Sequence, residues 1–63
     1  MKPSRALALA IRLVDAERRR WAFDYNAYHH YAARYPEAVR AQRRVRELEA
    51  MRQALIVIRD SQC

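Results

Sequence analysis

The chain of 63 residues contains no glycine, and its only prolines are Pro3 and Pro36. Glycine and proline are the strongest local breakers of regular structure, so a chain with a single internal one has very few places to turn. Two helices joined near Pro36 are the natural parse. Pro3-Ser4 suits a helix start with Ser4 as N-cap. Pro36 disfavours helical geometry at Tyr35 and fits the first turn of a new helix, where Glu37 meets the positive end of the helix dipole. The expected fold is all-α: an antiparallel two-helix hairpin of about residues 4–34 and 36–59, forming one domain over residues 1–63.

The spacing of large residues agrees with helix. Leu7, Ile11, Val14, Arg18, Trp21, Tyr25, Tyr28, Ala32 and Tyr35 follow alternating steps of four and three, the seam of a coiled coil or helical bundle. The second helix repeats the pattern more loosely in Ala41, Val45, Leu48, Met51 or Arg52, Leu55 and Ile58. Projected at about 100° per residue, both apolar arcs are wider than one two-helix seam requires; they take in Ala6, Leu9, Ala10 and Leu13 in the first helix and Ala54 and Ile56 in the second. With these boundaries the first helix outruns the second by roughly 10 Å, leaving apolar first turns to be covered. A chain this short buries a thin core and commonly needs a staple or a partner. The single cysteine, Cys63, cannot bridge within one chain.

Self-association is therefore expected, most simply as a homodimeric four-helix bundle. Its interface residues are Leu7, Ile11, Val14, Trp21, Tyr25, Tyr28, Leu48, Leu55 and Ile58. The aromatic residues sort by direction. Tyr25, Tyr28 and Tyr35 lie within about 40° of Trp21, which makes them core and not a base-stacking platform open to solvent. Phe23 falls about 200° from Trp21, among Arg5, Arg12, Arg19 and His30 on the face expected to be wet.

Twelve arginines and one lysine give a net charge of +6, the usual footprint of nucleic-acid or acidic-surface binding. Arg12, Arg19, Phe23, His30, Arg43 and Arg46 are the candidate contacts for a nucleic acid or an acidic protein. Other arginines have acids at helical spacing, in the pairs Asp15–Arg19, Glu17–Arg20, Glu37–Arg40 and Glu49–Arg52.

No metal site, cofactor site or catalytic site is expected. His29 and His30 are adjacent, so they point about 100° apart and cannot share a ligand on one helix face. The positions three and four away from either hold no strong ligand. The serines are only Ser4 and Ser61, threonine is absent, and no glycine-rich loop can cradle phosphate. The apolar run at the amino end is cut by Arg12 and is not expected to act as a signal peptide. The run at 54–58 is far shorter than the about 20 residues of a membrane span. These readings converge on a small, non-enzymatic, cytoplasmic protein that self-associates and serves as an interaction or regulatory adaptor. Nucleic-acid binding through arginine-rich helix faces is the alternative.

Overall fold

The structure, a computed structural model, describes residues 2–61; Cys63 lies outside them. It is a helical hairpin. Helix α1 spans Pro3–Tyr28, a short 3₁₀ turn spans Ala32–Arg34, and helix α2 spans Tyr35–Ser61. Among the described residues there is no strand, and no helix is long and apolar enough to cross a membrane.

Pro3, not Ser4, opens α1. The cap is Lys2, in extended geometry and without a side-chain cap bond. Its carbonyl accepts from the backbone N–H groups of Arg5 and Ala6, each at 3.0 Å. Proline at the first helical position loses nothing, because its missing N–H would have had no intrahelical acceptor and its φ is already set. That preference outweighs the cap that Ser4 offers one residue later.

The first helix also ends six residues before the expected Arg34. After Tyr28 the chain turns through His29 and His30, and Tyr31 is extended at φ −109° and ψ 119°. Tyr35, where a break was expected, is itself helical at φ −57° and ψ −41°. The cause lies in the proline ring. A helix carried through residue 36 would lose its bond to the Ala32 carbonyl and press the ring against it, so the chain must leave one helix and begin the next upstream of Pro36. The 3₁₀ bonds of Ala32–Arg34 fill that interval, and Pro36 then falls in the first turn of α2 with Glu37 beside it. The turn occupies a run of tyrosine and histidine, residues of modest helix propensity. No described residue adopts positive φ, so the reversal needs no glycine.

The early exit makes the helices nearly equal, 26 and 27 residues, or about 39 and 40 Å long. The expected 10 Å overhang therefore does not arise. Moving the turn also shifts which residues face each other. Asp15 of α1 meets Arg52 of α2 at 3.6 Å, and Arg44 lies beside Glu17 and Trp21. Residues 44–46 thus face α1 near residues 21–23. Arg18 and Arg19 share a groove with Arg52 of α2.

The Cα trace measures 47 × 17 × 11 Å, a flat single layer of two rods. Among the described residues the buried hydrophobic ones are Ile11, Ala38 and Ala41, the two alanines only 2% and 1% exposed. Small side chains at the helix contact let the rods approach closely. Leu7, Val14, Trp21, Tyr25, Tyr28, Val45, Leu48, Leu55 and Ile56 border that line half-buried. Trp21, Tyr25 and Tyr28 accordingly sit against the seam. Tyr35 does not: it is 64% exposed, because the turn that precedes it takes it off the stripe shared by the other rings.

Candidate interaction surface

A two-helix layer has two broad sides, and here they differ in chemistry. Asp15 and Glu17 project about 160° apart on α1, so they mark opposite flanks of the seam. The Asp15 side carries Arg18, Arg19, Glu49, Arg52 and Gln53 in one groove. It continues into a second groove with Ala22, Tyr25, Asn26, Gln42, Val45 and Arg46. This side is polar and rich in arginine. The opposite side has a groove lined by Glu17, Trp21, Arg44, Glu47, Leu48 and Met51.

Asp15 is the electrostatic centre of the first side. Its Oδ1 accepts from Arg18 Nε at 3.2 Å and from Arg18 Nη2 at 3.1 Å. Arg19 Nη2 lies 3.0 Å from Oδ2, and Arg52 Nε reaches across from α2 to 3.6 Å from Oδ1. The hydrogen bonds from Arg18 lower the carboxyl pKa most; partial burial opposes them, and the charges of Arg19, Arg18 and Arg52 add to the lowering. The group therefore stays below the ordinary carboxylate range and remains charged at neutral pH. Spacing within α1 identifies Asp15–Arg19, but the partner from α2 depends on helix register, which the sequence leaves open.

Other pairs follow local spacing in part. Glu17–Arg20 forms at 3.8 Å. Glu37 pairs with Arg34 at 3.5 Å in place of Arg40, because the turn brings Arg34 to the start of α2. Arg52 takes Asp15 in place of Glu49. Arg44 pairs with Glu47 at 3.2 Å within its own helix, and Arg59 pairs with Asp60 at 3.4 Å. Arg5, Arg12, Arg40, Arg43 and Arg46 have no carboxylate within ion-pair distance among the described residues.

The candidate polyanion contacts do not form one patch. Arg12, Arg19 and Phe23 share the outer stripe of α1, at steps of seven and four, and Phe23 is 73% exposed. Arg43 and Arg46 line a groove on the outside of α2 with Val39, Gln42 and Glu47. His30 leaves the helix altogether and sits in the turn, its ring centroid 3.7 Å from that of His29.

The histidines belong to the helix end. His29 donates its backbone N–H to the Tyr25 carbonyl at 3.0 Å. Its Nδ1 lies 3.0 Å from the same oxygen, and since a carbonyl only accepts, that ring nitrogen carries the hydrogen. The ring stacks on Tyr25 with centroids 5.0 Å apart, and the Arg34 guanidinium stands 6.0 Å from the Tyr28 ring centre, closing the turn. Among the described residues no three of His, Cys, Asp or Glu come together as a metal-binding group.

Of the nine expected interface residues, Leu7, Ile11, Val14, Trp21, Tyr25, Tyr28, Leu48 and Leu55 are buried or half-buried within the hairpin itself, and Ile58 is exposed. The residues left open on the Glu17 side are Leu9, Leu13, Met51 and Ile58, with Leu13 71% exposed. The wide apolar arcs signalled Leu9 and Leu13, but a seam drawn at steps of three and four passes them by. Ala38, as buried as Ala41, also escapes a search for large residues. No family model, no curated protein and no solved structure matches the chain.

Proposed function

We propose that the chain is a non-enzymatic, cytoplasmic helical adaptor that works as a homodimer, two hairpins closing side to side into a four-helix bundle. One observation carries this reading. Leu9, Leu13, Met51 and Ile58 are exposed and project toward the Glu17 flank of the hairpin, Met51 lining the groove with Trp21 and Leu48, while the buried hydrophobic core among the described residues amounts to Ile11, Ala38 and Ala41. A set of exposed apolar residues on one flank of so small a protein is where a further helical layer packs. The arginines of the opposite side remain outward in such a bundle, free to meet an acidic protein.

Sedimentation equilibrium across nanomolar to high micromolar concentrations tests it. The expected result is a dimer at micromolar concentration that dissociates on dilution with some loss of helicity; a well-folded monomer throughout rejects the proposal.

A second reading, a nucleic-acid-binding module, is favoured by the five guanidiniums that lack carboxylate partners together with the net charge of +6. It predicts that fluorescence anisotropy of a labelled duplex detects binding that weakens by orders of magnitude between 50 and 200 mM salt. Affinity that ignores salt, or no binding at low salt, removes this reading.

A further inference from the structure

We infer that the occupant of the open side is a second copy related by a two-fold axis parallel to the helices, so that α1 of each chain runs antiparallel to α2 of the other. Arg20 of each chain then meets Glu47 of the other, and Asp24 meets Arg44. This rests on the self-association just proposed and adds to it an orientation, a register and the residues that select them.

The argument begins with direction. On α1, Leu9, Leu13, Arg20 and Asp24 project within about 60° of one another. On α2, Ile58, Met51, Glu47 and Arg44 fall within a similar arc. Arg44, Glu47 and Met51 of the α2 stripe line the groove with Glu17, Trp21 and Leu48, and by helical projection the α1 stripe lies beyond Glu17 on the same flank. The open side is thus two parallel stripes, one per helix, and each changes from apolar near the chain ends to charged near the turn.

Height supplies the second step. The Asp15–Arg52 contact fixes the antiparallel register of the hairpin. Counting one residue forward on α1 for each residue back on α2, Leu9 lies level with Ile58, Leu13 with Ala54, Arg20 with Glu47, and Asp24 with Arg43 and Arg44. A two-fold axis along the bundle preserves height, so α1 faces the second copy's α2 at these same levels. Leucine then meets isoleucine and alanine, Arg20 meets Glu47 and Asp24 meets Arg44, while Arg40 of the same α2 stripe stands level with Ala27. A two-fold axis perpendicular to the helices lays the charged half of each side against the apolar half of the other, which strands charge on hydrocarbon.

Charge completes the case. Each chain carries +6, so two copies repel unless their meeting surfaces are spared. The open side is spared: Arg20, Arg40 and Arg44 are balanced there by Glu17, Asp24 and Glu47. Within one chain Arg20 has only Glu17 at 3.8 Å and Arg44 only Glu47 at 3.2 Å, while Asp24 has no ion-pair partner among the described residues. Docking strings five of these into one alternating row, Glu17, Arg20, then Glu47 and Arg44 of the second copy, then Asp24. Charged rims of this kind select register and partner.

Charge reversal in separate chains tests the contact. Arg20→Glu and Glu47→Arg each place like charges at both edges of a dimer, and each alone is expected to weaken dimerisation by about tenfold or more. Both edges of a mixed dimer regain opposite charges, so an equimolar mixture is expected to form the heterodimer at near wild-type affinity, as is the double variant with itself. The readouts are sedimentation equilibrium and native mass spectrometry of the mixture, with far-UV circular dichroism reporting that each hairpin stays helical. A wild-type dimer whose single reversals dimerise undiminished, or whose mixture associates no better than its parts, overturns this docking and leaves self-association standing. A wild-type chain that is monomeric throughout overturns both. If either single variant loses its helicity, the double variant decides: restored dimerisation supports the contact, and its absence rejects it.

Discussion

An Ala41→Leu variant is expected to melt well below the parent chain. Ala41 is 1% exposed and Ala38, one turn before it, is 2% exposed. Both lie buried on the inward face of α2, so a leucine side chain at Ala41 has no open solvent to extend into. Inserting methylenes into a packed contact costs about 1–3 kcal/mol through shifted backbone and strained rotamers. In a domain of this size each kcal/mol moves the midpoint by about 4–8 °C, so thermal circular dichroism resolves the effect easily. Ala50→Leu, on the exposed side of the same helix, is the control that changes volume without crowding. A midpoint for Ala41→Leu equal to or above that of the parent means the helices do not meet at this alanine.

Trp21→Ala is expected to cost about 2 kcal/mol, roughly half the usual loss for a fully buried tryptophan, because the ring is half-buried. The ring borders the groove with Glu17, Leu48 and Met51, so it serves the hairpin seam on one edge and the open side on the other. The variant should therefore lose both stability in urea and the capacity to dimerise. Phe23→Ala, which removes a ring that is 73% exposed on the far side of α1, should change neither by much. Equal effects of the two substitutions overturn the assignment of inside and outside.

Much of this architecture is legible in the residues alone, for identifiable reasons. The absence of glycine and the position of Pro36 specify two helices, and the stripe from Leu7 to Tyr28 specifies the side on which they meet. The end of α1 is not legible from the rule that disfavours helix before proline. That rule points at Tyr35, whereas the clash of the Pro36 ring with the carbonyl four residues earlier acts farther upstream. Everything that depends on register follows from that turn: the lost overhang, the facing of Arg44 with Trp21, and the reach of Arg52 to Asp15. The candidate contact residues divide for a related cause. Arg12, Arg19 and Phe23 keep their common stripe because α1 is continuous through them, while His30 leaves it because the helix has already ended.

The contact of Arg52 with Asp15 has a meaning for how the rods may slide. If α2 moved by one helical turn along α1, Asp15 would stand level with Leu48 or Ile56, and neither offers its carboxylate a proton donor. A single anion at mid-length thus acts as a weak detent: greasy contacts alone tolerate a slip of one turn, whereas Asp15 then keeps Arg18 and Arg19 but gives up its one partner on the other rod.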